Sequence, residues 1–168
     1  MTFSNWLSAR AVRNPFCVIL VSALCITISA AKADDVEDEV LALADSALDL
    51  ISVEDFLALS ELMIEESMSY TTVVRDGEHR IRVRTWAEGR DSTTTDDLVE
   101  RGFNPTVHVS GPLATVWYPY DFYNNGEWSH CGVDVFVMGQ TGNGWRIMTM
   151  AWNALQPPDC DPHPDGAP

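Results

Sequence analysis

The segment that decides the fold is Gly111–Ala154, GPLATVWYPYDFYNNGEWSHCGVDVFVMGQTGNGWRIMTMAWNA. Its first run, Leu113–Asn124, is rich in β-branched and aromatic residues and reaches Asn125-Gly126, a pair that tolerates the positive φ angles of a two-residue type I′ turn. A second apolar run, Glu127–Met138, ends in a glycine-rich loop before a third, Trp145–Asn153. The segment therefore predicts three consecutive antiparallel strands.

The two turns predict a register if both ladders are regular. Pairing Asn124 with Glu127 fixes the register of the first hairpin, and closing the second turn between Met138 and Trp145 fixes the register of the second hairpin. The resulting pairs are Asp121 with His130, Trp117 with Asp134, Tyr120 with Cys131, and Asp134 with Thr149. One face would be mainly polar, with Thr115, Trp117, Asp121, His130, Asp134 and Thr149, and the other apolar, with Tyr118, Tyr120, Val133, Val135, Met148, Met150 and Trp152. A slip of one residue in either turn would mix the two sets.

Residues 1–33 have the layout of a secretory signal peptide. They contain no acidic residue, carry Arg10 and Arg13 before an apolar run over residues 16–31, and end in Ala31-Lys32-Ala33, a small-x-small cleavage motif. The run is shorter than the roughly 20 residues that span a bilayer, which argues against the alternative of an uncleaved anchor. We expect cleavage near residue 33 and a mature protein that is periplasmic or secreted, without stable membrane association.

Cleavage would leave a strongly acidic chain. The full sequence has 168 residues and a formal net charge of −15, and removal of residues 1–33 leaves seven basic and 25 acidic residues, a charge of −18. This length suits one core rather than two, and the charge opposes binding to nucleic acid or to an anionic membrane surface. We therefore expect one domain over residues 34–155, followed by a proline-rich tail over residues 156–168.

All seven basic residues of the mature chain are arginines, and three of them alternate along one predicted strand. Arg80, Arg82 and Arg84 are separated by Ile81 and Val83, so their side chains would share a face. This spacing could hold an anion. The simpler interpretation is a solvated face that balances the acidic surface.

The cysteines, histidines and glycines exclude several classes of site. The mature chain keeps Cys131 and Cys160, which could form one disulfide in an oxidising compartment; alternatively, Cys131 is a small buried apolar residue. The four histidines are scattered, and no Cys-x-x-Cys or His-Glu-x-x-His spacing indicates a metal. The sequence also lacks a phosphate-binding glycine loop and a Gly-x-Ser-x-Gly elbow. We expect no metal and no cofactor.

Upstream of the decisive segment the sequence predicts helices, a hairpin and two shorter elements. Asp34–Asp49 has acidic residues in its first turn and apolar residues at helical spacing, so it should be an amphipathic helix. A second helix begins at Ser52 and buries residues as far as Met63 and Ile64. The later elements are a hairpin of Ser69–Arg75 and Glu78–Trp86 around Asp76-Gly77, a short helix over Asp96–Glu100 capped by Thr94 or Thr95, and a strand over Phe103–Val109. This order indicates an α+β fold with a mostly antiparallel sheet curved over the helices.

Several motifs resemble the nuclear transport factor 2-like (NTF2-like) superfamily and, within it, bacterial SnoaL-like members of unassigned activity. The motifs are Val116–Tyr123 (VWYPYDFY), Asn125-Gly126, Ser129–Asp134 (SHCGVD) and Gly144–Ile147 (GWRI). The resemblance covers residues 35–154 and implies a cone-like sheet wrapped around N-terminal helices, an open apolar pocket and frequent dimerisation. It does not imply one function, because the superfamily includes ketosteroid isomerases, polyketide cyclases, dehydratases, dioxygenase small subunits and non-catalytic binding domains.

The function expected first is the binding of a small hydrophobic molecule in an aromatic-lined pocket of an exported homodimer. One alternative is a cofactor-independent isomerase, cyclase or dehydratase that acts on a steroid-like or polyketide-like substrate by acid–base chemistry. Another is a non-catalytic dimerising scaffold. Bound ligand would separate a binder from a scaffold, and turnover of that ligand would separate an enzyme from a binder.

The candidate site residues come from the predicted polar face and its aromatic neighbours. In the catalytic alternative His130 carries a proton, Asp134 is the second polar group and Asp121 orients His130. The candidate ligand-binding residues are Trp117, Tyr118, Tyr120 and Thr149, and either tyrosine could donate a hydrogen bond to a developing enolate. In the structural alternative His130 and Asp121 form an exposed cross-strand pair, while Asp134 bonds the backbone or an indole. No catalytic residue is carried over from characterised members of the superfamily, because their motifs do not match this sequence.

Overall fold

The computed structural model describes residues 16–75 and 77–168. The chain divides after Asp34 into two compact units, and the sheet, its core and the cavity belong to the second. The predicted signal peptide falls in the first unit; residues 1–15 lie outside the described part of the chain, and residues 16–33 are helical. In the described ranges, no helix combines the length and the apolar character needed to cross a membrane.

Three helices and seven strands make up the regular structure of the described residues. The helices are α1 (Phe16–Ser52), α2 (Phe56–Glu61) and α3 (Trp86–Arg90). The strands are β1 (Met63–Arg75), β2 (Glu78–Thr85), β3 (Leu98–Gly102), β4 (Thr106–Ser110), β5 (Leu113–Asn124), β6 (Glu127–Thr141) and β7 (Gly144–Leu155).

The strands form a single curved, unclosed sheet in the order β2-β1-β7-β6-β5-β3, and β4 pairs with the first half of β5. Among the described strands only β1 and β7 run parallel, and every other pair is antiparallel. The predicted α+β class with a mostly antiparallel curved sheet is confirmed.

The core lies between α1 and one face of the sheet, which we call the concave face. The buried residues of α1 recur at helical spacing, with Val40, Ala44, Ala47 and Leu48 on one stripe. They join one cluster with residues of β5, β6 and β7: Ala114, Val116, Tyr118, Phe136, Met138, Trp145, Ile147 and Met150. Burial of this stripe gives the helix its place against the sheet. The opposite face is called the convex face.

Two predicted turns have the expected form. Asn125 and Gly126 have φ angles of 53° and 78° and leave Asn124 paired with Glu127, so β5 has the predicted bounds. Gly77 has a φ of 78° and lies between Arg75 and Glu78, the terminal pair of the β1–β2 ladder.

One predicted helix is shorter than expected and another is absent, and tertiary hydrogen bonds explain both differences: the second helix forms over Phe56–Glu61 rather than from Ser52 to Ile64, and the segment Asp96–Glu100 is not helical. The second helix ends at Glu61, because the Leu62 carbonyl accepts a hydrogen bond from the Ile147 amide and the chain then enters β1. The segment after Thr94 is not helical: Thr94 Oγ1 accepts the Asp96 amide in a turn, and Leu98–Gly102 pairs with β5 as an edge strand. In both places pairing with the sheet outweighs local helix propensity.

Candidate functional site

A cavity of about 450 Å³ opens between the helices and the concave face. All its lining residues lie in the second unit of the chain. Its apolar wall comes from α1, α2, β1 and β7, with Ile51, Phe56, Leu59, Met63, Met150 and Trp152. The volume is typical of a small-molecule site. The rest of the lining is largely polar and includes Arg82, Arg84, Thr85, Arg90, Ser92, Thr93, Thr94, Glu100, His130 and Asp134.

The main polar feature of this cavity is a pair of carboxyl groups from different strands. Asp134 of β6 and Glu100 of β3 both line the cavity, and each carboxyl group is close enough to shift the pKa of the other. Asp134 is buried, and its Oδ2 has no hydrogen-bond partner among the described residues. A hydrogen bond between two neighbouring carboxyl groups needs a proton on one of them. We call Glu100 and Asp134 the acid pair.

Burial explains why the acid pair keeps a proton. Loss of hydration, the largest cause, raises the pKa of Glu100 from 4.5 to about 8, while the neighbouring Asp134 carboxyl acts in the opposite direction. The pKa of Asp134 is raised well above 3.8 by burial first, then by the charge of the neighbouring Glu100 carboxyl. Two ionised carboxylates would repel each other in this environment, so one proton is retained near neutral pH.

His130 is a further polar group on the cavity wall. Its ring stacks on Phe122 with 4.6 Å between centroids and meets the edge of Tyr120 at 5.8 Å. Its Nδ1 lies 3.1 Å from Ser129 Oγ. Burial lowers the pKa of His130, so the imidazole is neutral at physiological pH and can accept or donate one hydrogen bond toward the cavity.

The sequence-predicted register is wrong because a β-bulge interrupts the first hairpin. Tyr123 pairs with Trp128, yet Phe122 pairs with His130, and Ser129 has no partner across the ladder. All pairs farther from the turn than Tyr123 with Trp128 are therefore shifted by one residue from the predicted register. The observed pairs are Asp121 with Cys131, Tyr120 with Gly132, Tyr118 with Asp134, and Trp117 with Val135.

The second hairpin also differs from its predicted register. It closes at Thr141 and Gly144 rather than at Met138 and Trp145, and the register shifts again between Val137 and Met138. As a result Asp134 pairs with Trp152, and Thr149 pairs with Val137. Because both registers are shifted, several side chains lie on the opposite face of the sheet from the predicted one.

His130 and Asp134 lie on the concave face together with Tyr118, Tyr120, Met150 and Trp152. The convex face carries the remaining candidates, Thr115, Trp117, Asp121 and Thr149. The predicted separation into one polar and one apolar face is therefore wrong. Of the three proposed catalytic residues, the structure brings two to the cavity, and of the proposed ligand-binding residues it brings none.

The Asp121 carboxylate binds the C-terminal tail and not the His130 ring. Its carboxylate is fully buried on the convex face and accepts two hydrogen bonds from Arg101, at 3.1 Å to Oδ1 and 2.6 Å to Oδ2. The His163 amide donates to the same Oδ2 at 2.9 Å, and Arg101 also donates to the Gly166 carbonyl. Asp121 therefore cannot orient the His130 imidazole, and its role is to hold the tail on the sheet.

Tyr118 and Tyr120 have hydroxyl groups that already donate hydrogen bonds within the protein. The Tyr118 hydroxyl donates to Asp45 Oδ1 at 2.7 Å, and the Tyr120 hydroxyl donates to the Asn153 carbonyl at 3.0 Å. Burial raises the pKa of both phenols, so neither ionises in the folded protein at physiological pH. The Tyr118 ring lies where a Cβ at Gly102 would be, which requires glycine at that position. These tyrosines support the sheet and are not available to an enolate.

Cys131 and Cys160 form a disulfide in the structure, with their Cα atoms 5.8 Å apart. Cys131 is fully buried on the convex face, whereas Cys160 lies in the tail beyond β7. The disulfide and the Asp121 contacts join the tail to the same region of the sheet.

Sequence reasoning missed Glu100 and the cavity position of Arg82 and Arg84. The sequence pattern predicts that Glu100 ends a short helix, where a glutamate does not indicate a functional site. The arginines were interpreted as a solvated face. In the described ranges no group of three or more histidine, cysteine, aspartate or glutamate side chains is arranged to hold a metal ion.

No family model matches the chain, and no curated protein matches it. Solved structures do match. An NTF2-like protein with a cystatin-like fold from Novosphingobium aromaticivorans is 20% identical, with 78% of this chain and 89% of that chain covered and a TM-score of 0.61. A proposed dehydratase of the NTF2-like family from Streptomyces avermitilis is 16% identical, with coverage of 74% and 99% and a TM-score of 0.57.

A third solved structure is the beta subunit of a proposed aromatic-ring-hydroxylating dioxygenase from Novosphingobium aromaticivorans. It is 10% identical, covers 74% of this chain and 93% of its own, and has a TM-score of 0.60. The chain thus has the NTF2-like fold, as the motifs of β5 to β7 predicted.

Proposed function

We propose that this protein binds a small, largely apolar molecule in the cavity of the concave face. The observation that carries the proposal is the cavity itself: about 450 Å³, with one apolar wall and polar and charged groups on the rest of its lining. Burial of apolar ligand surface supplies affinity at about 25 cal/mol per Å², and the polar groups select orientation. A ligand with a carbonyl or hydroxyl group would suit the acid pair and His130.

The solved structures of the same fold support a ligand-binding role without choosing a reaction. One is named as a dehydratase candidate and another as a dioxygenase beta subunit, so the fold carries different functions. The identities are 16% and 10%, so a reaction for this chain has to be argued from its own site.

Binding is tested with N-phenyl-1-naphthylamine, a neutral apolar dye that becomes fluorescent when it leaves water. Ser69 of β1 lines the cavity, and replacing it with Trp should fill part of the space and weaken dye binding at least tenfold. The matched control is Tyr70→Trp, because Tyr70 is the next residue of the strand and its side chain lies on the convex face. Equal dye affinity in wild type and Ser69→Trp would contradict binding in the cavity.

A second candidate function is acid–base catalysis, and the acid pair favours it. With one proton shared, one carboxyl group can accept a proton from a bound molecule while the other donates one, as isomerisation and dehydration require. We infer that Glu100 and Asp134 would perform these tasks rather than His130 with Asp121, because Asp121 lies on the convex face. His130 then acts as a hydrogen-bonding neighbour of the reacting group.

This candidate can be tested with 5-nitrobenzisoxazole, a probe for a general base in an apolar site. Removal of its C3 proton forms the nitrile and breaks the N–O bond, which releases a coloured nitrophenolate. Glu100→Gln and Asp134→Asn should each lower the rate, by roughly 100-fold if the pair is the base. The control is Glu61→Gln, an exposed carboxyl at the end of α2. Wild-type rates that equal those of both pair variants would exclude the pair as a base for this probe.

We further propose that the protein is exported and forms a homodimer. Export is supported by the signal-like residues 1–33, and intact-mass analysis of exported protein should show their loss. Dimerisation is supported by the convex face, where Trp117 is 53% exposed beside Val133 and Val135. Light scattering that finds a monomer at micromolar concentration would contradict the dimer.

A further inference from the structure

Strand β2 carries two arginine side chains into the cavity. Arg82 pairs with Thr71 and Arg84 pairs with Ser69, and through β1 these rows continue to Trp152 and Met150 of β7. Both arginines therefore point to the concave face and line the cavity, where Arg82 is exposed and Arg84 is half-buried. They lie at the opposite end of the strand order from Glu100, which is on β3.

Neither arginine has a carboxylate partner within the described residues. Arg80, Arg90 and Arg101 each form an ion pair, at 2.9, 2.7 and 2.6 Å, but no nitrogen of Arg82 or Arg84 comes within 4.0 Å of a described carboxylate oxygen. Arg84 Nε is buried and makes no hydrogen bond among these residues. A buried donor without an acceptor is costly to the folded protein, so an acceptor from outside the chain would be favourable.

The nearby Glu88 does not supply that acceptor. One oxygen of its carboxylate is held at 2.7 Å from the Thr85 amide and at 2.9 Å from the Thr85 hydroxyl, in the capping box of α3. It acts on both arginines only through its charge. Burial first, and then the charge of Arg82, lower the pKa of Arg84, while the charge of Glu88 opposes them, which fits two neighbouring cations without a directly bonded carboxylate.

We propose that Arg82 and Arg84 form an anion subsite, so that the ligand of this cavity is a small organic anion with an apolar body, such as an aryl or alkyl carboxylate. The inference rests on the proposed binding function and names its ligand class. The carboxylate takes the unpaired donors of the two arginines, and the apolar body lies against Met150 and Trp152. The far end of the ligand then reaches the acid pair.

The sheet sets the approximate length of such a ligand. Arg82, Thr71, Trp152 and Asp134 lie on one cross-strand row, so the backbones of Arg82 and Asp134 are three strand spacings apart, about 14 Å along the sheet. The long arginine side chain spans several ångströms of this distance. A single ring with a short carboxylate-bearing chain bridges the remainder.

The competing interpretation is that both arginines are only a solvated cationic face on an acidic protein. The two interpretations differ in what they predict for neutral and anionic ligands of one shape. With a net charge of −15 the protein as a whole repels anions, so a preference for the anionic ligand requires a local cationic site.

The experiment measures displacement of N-phenyl-1-naphthylamine by 4-phenylbutyrate and by its neutral amide, 4-phenylbutyramide. The carboxylate should displace the dye from the wild-type protein at a concentration at least tenfold lower than the amide does. A tenfold difference is the scale of one charge-assisted hydrogen bond. Arg84→Gln should reduce that ratio to near one while dye and amide still bind. The matched control is Arg80→Gln, which removes the same charge from the same strand at a residue that pairs with Glu78 and does not line the cavity.

The outcomes separate the two proposals. Dye binding with no preference for the carboxylate in wild type overturns the anion subsite and leaves the binding function intact. An equal loss of preference in Arg80→Gln also overturns the subsite, because the effect would then be general electrostatics. Absence of dye binding in wild type overturns both proposals. If Arg84→Gln no longer binds the dye, Arg82→Gln decides, and an unchanged preference in that variant counts against the subsite.

Discussion

The protonation of Glu100 connects the site to the stability of the fold. Its pKa is raised from 4.5 to about 8 in the folded protein. As pH rises from 4.5 to 8, the unfolded chain loses this proton while the folded chain retains it, so the unfolded state is increasingly favoured. The contribution is absent below pH 4.5 and reaches its full destabilising value above pH 8.

Glu100→Gln should remove this pH dependence. At about 1.4 kcal/mol per unit of pKa shift, the upper limit is about 5 kcal/mol, and solvent that enters the cavity reduces the expected effect to about 2 kcal/mol. Relative to wild type, the variant should thus gain about 2 kcal/mol in unfolding free energy between pH 5 and pH 8. Urea unfolding at both pH values measures the change, and Glu61→Gln is the exposed control. Parallel pH profiles for wild type and Glu100→Gln would show that the carboxyl group is not perturbed.

Some residues of the cavity could be predicted from the sequence and others could not. His130 and Asp134 were found because a histidine and an aspartate four residues apart on one strand share a face. Glu100 was not found, because its role depends on β3 joining the edge of the sheet, which no local pattern near Asp96 indicates. The arginines of β2 were seen as a pattern, but their cavity position depends on the curvature of the whole sheet.

Among the elements, the β5–β6 hairpin shows that one bulged residue changes which face of the sheet many side chains occupy. The Asn125-Gly126 turn predicted the pair of Asn124 with Glu127 and the bounds of β5, because positive φ angles at two positions are a local property. The bulge at Ser129 has no such local signature. It moved Asp121 away from His130 and onto the pair with Cys131. A bulge is a property of two strands packed together, and one strand's sequence does not reveal it.

The C-terminal tail has no regular structure. Its attachment to the sheet by a disulfide leads to a separate prediction. Cys131 and Cys160 are 29 residues apart, and a crosslink of that span stabilises by about 3.6 kcal/mol on the chain-entropy estimate. Cys160→Ala should lower the unfolding free energy by about that amount, because it removes the crosslink without touching the buried Cys131. Denaturant unfolding without reductant provides the measurement.

The double variant Cys131→Ala with Cys160→Ala provides the control for the tail. It should cost little more than the single variant, since the two changes remove the same crosslink. A loss below about 0.5 kcal/mol in Cys160→Ala would mean that the disulfide does not stabilise the fold.

For the whole molecule, the fold was more predictable than the cavity. Strand patterns, turn residues and the amphipathic helix from Asp34 each depend on local chemistry, and together they indicated one curved sheet over helices. The cavity is lined by residues of both the sheet and α2, and just beyond α2 the Ile147 amide donates a hydrogen bond to the Leu62 carbonyl. Such long-range contacts decide where polar groups meet, so the site needed the structure.

The measurement that tests the central claim most directly is a crystal structure of the full chain with N-phenyl-1-naphthylamine. The proposed binding function predicts dye density in the concave cavity, in contact with Met150 and Trp152 and near the acid pair. Density confined to the convex face around Trp117, with the cavity empty, would contradict it.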